Sequence, residues 1–403
     1  MAATAIALTG TMALILLLWV SRHILISRQR GRGAGLGSDA PPVRAPAPRI
    51  SVIVAAKDEA ENIESCLRSL LQQDYPNVEI IVCNDRSADA TGRIAERLAG
   101  EDGRLRVLHI ETLPSGWCGK NHAIRRGADA ADGDWLLTVD ADCRLLTPRA
   151  LSVAMRHARD TGAEMLSVLP MMETGGFWEE VIQPVCSGVM MIWFNPDKVN
   201  DASRRTAYAN GAFMLIRREC YDAVGTHEAI RGEVMEDLQL ARRVKQAGRT
   251  LRVVQGSGIY RVRMYRTLAG TLAGWCRIFH GAFRTPGRLL ASLGMLLLGL
   301  VPYGVAAIAL TLAATGAEAT AAWWACGLTA AAAAAMQLSV IYRFYALTGA
   351  RRCVFWTYPL GSLIAAGVVL WALGKLRPGA RLTWRGTSYN AGRTAPDHEG
   401  KAA

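Results

Sequence analysis

No C-x-x-C pair occurs in this 403-residue sequence, and its nine cysteines are scattered at 66, 83, 118, 143, 186, 220, 276, 326 and 353. An odd, scattered count excludes a disulfide framework and a structural zinc site. Unpaired thiols fit a reducing compartment. No zinc-finger, recognition-helix or RNA-binding signature is present, so the formal charge of +12 does not point to nucleic acid. No G-x-x-x-x-G-K-[ST] loop occurs either, which disfavours a P-loop ATPase. Charge is absent from residues 2–20 and from most of three later stretches. What remains is a hydrophobic fraction of 51% and a mean hydropathy of +0.15, both high for a soluble enzyme. In a membrane protein a basic excess reports cytoplasmic loops and anionic headgroups.

The uncharged run Ala2–Val20 is about one bilayer crossing long. Arg22, Arg28, Arg30 and Arg32 follow it, whereas a secretory leader carries its positive charge ahead of the apolar run. The flank predicts an N-terminus outside and a cytoplasmic downstream region. The sequence divides into an N-terminal transmembrane helix (1–30), a Gly/Pro/Ala linker (31–49), an α/β domain (50–263), an interfacial amphipathic helix (264–288), about three transmembrane helices (289–374) and a basic tail (375–403). The apolar stretches lie near 289–314, 320–342 and 354–374. The loop near Thr315–Ala319 lacks Lys and Arg and belongs outside, and the loop with Arg343, Arg351 and Arg352 belongs inside. Alternation then places the tail outside, while Lys375, Arg377, Arg381 and Arg385 place it inside. The last stretch is therefore a crossing, a re-entrant segment or an interfacial helix.

Within the α/β domain, strands are predicted at Ile50–Ala55, Val78–Cys83, Leu105–Ile110 and Trp135–Val139. Helices are predicted at Asp58–Leu71, Ala88–Leu98 and Lys120–Ala130. This alternation implies a mostly parallel, doubly wound sheet. Further strands fall at Gly211–Ile216 and Leu251–Val254, and a helix at Glu236–Ala247. Phe177–Phe194 reads as a helix near the membrane surface. Tyr265–Phe283 reads as an interfacial helix.

Chemistry concentrates in five places. The apolar run Trp135–Val139 ends in Asp140-Ala141-Asp142. On a strand, residues i and i+2 point the same way, about 7 Å apart. Facing carboxylates repel unless a cation lies near them, and oxygen ligands suit Mg²⁺ or Mn²⁺, with phosphates completing the shell. The turn after the first strand, Ala55-Ala56-Lys57-Asp58-Glu59, offers Ala55, Lys57 and Glu59 to a nucleotide. Asn84-Asp85-Arg86-Ser87 follows the second strand. Ser87 or Asp89 suits a helix cap, and Asp85 is left for a base or ribose. The loop Leu113–Asn121 opens a helix with Lys120, a place that favours phosphate. Glu236-Asp237 starts a helix, where adjacent side chains diverge by about 100°. One of the two is then a base and the other a structural partner.

These elements, with Ala209-Asn210-Gly211-Ala212-Phe213, resemble the glycosyltransferase family 2 enzymes over about residues 50–285. Within the family the resemblance is to the membrane-anchored branch, which includes hopanoid-associated, carotenoid (diaponeurosporenoate) and ceramide glycosyltransferases. The resemblance implies a GT-A fold with a Rossmann-like sheet. It also implies inverting transfer of a single sugar from a nucleoside-diphosphate sugar, UDP-sugar first among the candidates, to a hydroxyl or carboxyl of a membrane lipid acceptor. By position, Asp85 contacts the base or ribose, Asp140 the ribose or metal, Asp142 holds the metal and Asp237 is the catalytic base beside Glu236. Lys120 and Arg277 share the diphosphate. The implied location is a bacterial inner membrane, multi-pass, with the catalytic domain cytoplasmic. A processive polysaccharide synthase is the alternative. Processive synthases carry Gln/Arg-x-x-Arg-Trp, and Gly274-Trp275-Cys276-Arg277-Ile278 lacks its Gln and Trp.

Overall fold

Strands buried on both faces are near-continuous apolar runs, and the runs at the start of the domain form such strands. In the computed structural model the described residues are 1–29, 36, 47–256, 258–377, 379–384, 387–390 and 393–394. Most of the predicted linker 31–49 and much of the tail 375–403 lie outside them. After α1 (Ala2–Gln29), the order is β1 (Ile50–Ala56), α2 (Ile63–Leu71), β2 (Val78–Asp85), α3 (Thr91–Glu101), β3 (Leu105–Ile110), α4 (Gly119–Ala130) and β4 (Trp135–Asp140). Next come β5 (Cys143–Leu145), α5 (Ala150–Asp160), β6 (Met165–Leu169), β7 (Met171–Met172), α6 (Phe177–Trp193) and α7 (Pro196–Asn200). The domain closes with β8 (Phe213–Arg217), α8 (Arg218–Ala223), α9 (Glu236–Gln246), β9 (Leu251–Gln255) and β10 (Tyr260–Val262).

The main sheet has the order β3-β2-β1-β4-β8-β6-β9. All neighbours are parallel except that β8 runs against β4 and β6. One face buries α2, α3 and α5 through Ile63, Leu67, Leu98, Leu151 and Met155. The other buries α4, α8 and α9 through Ala123, Tyr221, Leu240 and Val244. The strands β5, β10 and β7 form a small second sheet.

Three predicted helices start later than expected, among them α3, which begins at Thr91 and not Ala88. The first begins at Ile63, not Asp58, because Asp58 has φ 54° and its carboxylate accepts from the Ala88 amide at 2.8 Å. The Ala60 amide donates to Asp89 at 2.9 Å, so 58–62 is a turn pinned to the next loop. The helix expected from Tyr265 begins at Leu268, where the Thr267 hydroxyl accepts from the Gly270 amide at 3.1 Å.

That helix, α10 (Leu268–Phe283), is followed by α11 (Pro286–Leu298), α12 (Val301–Ala314), α13 (Thr320–Thr348) and α14 (Tyr358–Gly374). Among the described residues, four segments are long and apolar enough to cross a membrane: Ala2–Ser27, Pro286–Ala314, Thr320–Thr348 and Arg352–Gly374. They group unevenly. Helices α1, α12 and α13 pack through Ala5, Ala309, Ala313, Trp323 and Cys326. Helix α14 packs instead on α6, α10 and α11 in a core that holds Val185, Phe279, Leu296 and Val369.

Candidate active site

Open α/β sheets bind ligands beyond the carboxyl ends of their strands. A cavity of about 580 Å³ lies there, lined by Ala55, Lys57, Glu59, Asp85, Lys120, Asp140, Asp142, Glu236, Asp237 and Arg277. Every predicted site residue thus reaches one cavity. The register explains the first part: Ala55 pairs with Asp140 across β1 and β4.

The two aspartates do not sit on one strand as predicted. Strand β4 ends at Asp140, and Ala141 and Asp142 form a turn before β5. They remain neighbours all the same. Burial first, then the charges of Asp142 and Asp140, push the thiols of Cys66 and Cys143 up. Both carboxylates therefore surround the same buried pair. Among the described residues, no three acidic, histidine or cysteine side chains form a metal cage. Two carboxylates beside open space still fit Mg²⁺ or Mn²⁺, which take one or two carboxylates plus substrate phosphates.

Lys120 is placed differently from a simple phosphate ligand. Its ammonium lies 2.6 Å from Asp140 and 2.7 Å from Glu236. Burial alone would lower its pKa, but the two carboxylates outweigh burial and raise it well above the ordinary lysine value. The loop ahead of it is locked as well. The Cys118 amide donates to the Arg231 carbonyl at 2.7 Å, and the Asn121 amide donates to the Ile230 carbonyl at 2.7 Å. Gly119 serves Asp85, because a Cβ there would stand 2.5 Å from the Asp85 carboxylate. Asp85 is 3% exposed and holds Arg86 in a fork, at 2.7 and 2.9 Å.

Glu236 and Asp237 both line the cavity from the first turn of α9. Glu236 is buried and spends its charge on Lys120. Asp237 accepts from the Gly211 amide at 2.9 Å and from the Leu238 amide. A helix start favours the ionised form, yet burial first, then the Glu236 charge, push the Asp237 carboxyl up to about 7. Gly211 has to be small, since a Cβ would lie 3.0 Å from Glu236 and 3.1 Å from Lys120.

Much of the remaining lining is apolar. It comes from Met190 and Met191 on α6, Phe194 just past its end, Trp275 and Ile278 on α10, and Phe344 and Leu347 on the last turns of α13. The α13 contribution was not foreseen. A long apolar helix carries no local signal that its end meets a catalytic cavity.

A family profile described as glycosyltransferase-like family 2 matches residues 47–274, more than half of the chain. The 4,4'-diaponeurosporenoate glycosyltransferase of Staphylococcus aureus strain USA300 is 27% identical over 253 residues, 62% of this chain and 66% of that protein. The enzyme of the bovine strain RF122 matches to the same extent. The match spans just under two thirds of these relatives. A mannosyltransferase from Pyrobaculum calidifontis, solved with GDP-Man and Mn²⁺, is 21% identical with a TM-score of 0.48, covering 86% of this chain and 98% of that one. Residues 1–349 of Staphylococcus aureus TarS, solved with UDP-GlcNAc, are 16% identical with a TM-score of 0.43, covering 87% and 98%. At those scores the two structures add no weight to the family match.

Proposed function

The chain belongs to glycosyltransferase-like family 2 and has the GT-A fold, and from that premise we propose that it transfers one sugar, with inversion, from a nucleoside diphosphate to a hydroxyl or carboxyl of a membrane lipid. The observation that carries this reading is the two-sided cavity. Carboxylates and a lysine line one side, and an apolar helix long enough to cross a membrane lines the other. The acceptor oxygen attacks the anomeric carbon, and the bond to the diphosphate breaks with its electron pair. Asp237 takes the acceptor proton. A base with a pKa near the working pH suits that role, and Asp237 makes no ion pair among the described residues. Glu236 and Lys120 hold each other and Asp140 in place. Asp140 and Asp142 would hold Mg²⁺ or Mn²⁺, which supplies a Lewis acid for the leaving diphosphate.

The membrane arrangement follows from the same contacts. Helix α1 runs parallel to α13, with Ala5 in the cluster of Cys326 and His23 3.2 Å from Arg343. The end of α13 meets the catalytic domain, where the Gln255 amide donates to the Leu347 carbonyl. The N-terminus is then on the far side. The segment ahead of α14 and its far end lie against α6 and α10. Arg351 lies 2.5 Å from Glu180 of α6, and Lys375 acts on His280 and Cys276 of α10. This supports three crossings, α1, α11–α12 and α13, with α14 re-entrant or interfacial. On this reading Lys375 and Arg377 lie on the side of the catalytic domain, the side that the basic charge of the tail favours.

The function is tested with protein reconstituted in liposomes of extracted bacterial lipid and supplied with a panel of nucleotide sugars. A lipid product heavier by one sugar is expected. Nucleotide hydrolysis with no glycolipid would overturn the reading. For the topology, Cys353 is the one exposed cysteine. In C353S carrying R377C, an impermeant thiol reagent should miss position 377 in intact cells and reach it once the membrane is opened. Labelling in intact cells would place the tail outside.

A further inference from the structure

We propose that Tyr265 is the residue that limits the acceptor end of this cavity to one sugar, by occupying the space that Gly274 leaves vacant. The inference rests on the reading of a lipid glycosyltransferase and specifies its acceptor site. Tyr265, Gly274, Arg277 and Asp237 line the same cavity. A Cβ on Gly274 would stand 2.0 Å from the Tyr265 ring carbon Cζ and 2.2 Å from its hydroxyl. The ring therefore lies directly on the glycine backbone, and any side chain at 274 has to displace it. From one turn further along α10, Arg277 donates to the Tyr265 hydroxyl at 3.4 Å, which holds the ring against α10 at the cavity wall.

Volume makes the consequence concrete. At about 580 Å³ the cavity is within the ~300–1,000 Å³ usual for one small-molecule site. A nucleotide sugar and the reactive end of an acceptor fill such a space. A glycosylated acceptor has to bring an additional ring past Tyr265 to present a new hydroxyl to Asp237. With the tyrosine in place the first product no longer fits as an acceptor, and it leaves through the apolar side. In the motif Gly274-Trp275-Cys276-Arg277-Ile278, the glycine at the first position is what permits this arrangement.

The experiment compares product masses from reconstituted wild type, Y265F and Y265A, each supplied with one nucleotide sugar and the lipid acceptor. Y265F keeps the ring and should make the one-sugar product alone. Y265A opens the wall, and the ratio of two-sugar to one-sugar product should rise at least about tenfold, the scale on which pocket volume discriminates substrates. Nucleotide binding by Y265A reports that the variant is folded. Y265S takes its place if it is not. One-sugar product only, from a nucleotide-binding Y265A or Y265S, would overturn the inference. Failure of the underlying reading looks different, because wild type itself would then glycosylate no lipid.

Discussion

The two sides of the cavity are built by different physics. The polar side is made of strand ends and helix starts: Asp85 ends β2, Asp140 ends β4, Lys120 begins α4, and Glu236 and Asp237 begin α9. Backbone pairing and buried ion pairs fix it. The apolar side is made of helix faces from α6, α10 and α13. Burial is non-directional, and methionines such as Met190 and Met191 adapt to irregular shapes. A directional side suits a donor whose phosphates and ribose demand fixed partners. An adaptable side suits an acceptor recognised by its apolar body.

The largest effects should come from the polar side. Chelation by EDTA should abolish transfer, and Mn²⁺ or Mg²⁺ should restore it, since a Lewis acid contributes several kcal/mol at a leaving phosphate. Full turnover of Asp142→Ala in chelator would remove the metal from the account. Next, Asp237→Asn should lower turnover at least about 10²-fold with nucleotide affinity near wild type, and Glu236→Gln should be milder. Retained turnover in Asp237→Asn with loss in Glu236→Gln would exchange the two roles. The pH profile sharpens the same point. A base acts when ionised, so with Asp237 in the proposed role turnover should rise with pH through about 7. Its raised pKa means that it binds a proton more tightly folded than unfolded. Its contribution to stability is therefore present at low pH and is lost as pH rises through about 7. An activity limb at the ordinary carboxylate value, near 4, would show that Asp237 is not the base.

Much of the polar side was legible in the sequence, because strand ends are marked by apolar runs that stop at acids. Asp85 and Asp140 are found this way, and Glu236 and Asp237 by their place at a helix start. Two features there were not legible. The pairing of Lys120 with Asp140 and Glu236 joins residues 20 and 116 positions apart, and no local pattern encodes it. The rise of the Asp237 pKa depends on burial, which opposes what a helix start alone implies. On the apolar side the signal was weaker still. Composition marks α13 as a possible crossing but gives no hint that Phe344 and Leu347 reach the cavity. Likewise the proposed return of α14 rests on Arg351–Glu180 and on Lys375 beside His280. Both are tertiary contacts that hydropathy does not encode.

The division of the cavity is tested most directly by steady-state kinetics in both substrates for Phe344→Ala beside Asp142→Ala. The Phe344 ring lies beside α6, close enough that a Cβ on Gly188 would touch it at 3.5 Å. Removing it forfeits about 1.5 kcal/mol or more of apolar contact. The account expects Phe344→Ala to raise the KM for the lipid acceptor about tenfold with the KM for the nucleotide sugar unchanged, and Asp142→Ala to do the reverse. Equal rises in both KM values for either variant, or a nucleotide-sugar effect from Phe344→Ala, would contradict a cavity with one donor side and one lipid side.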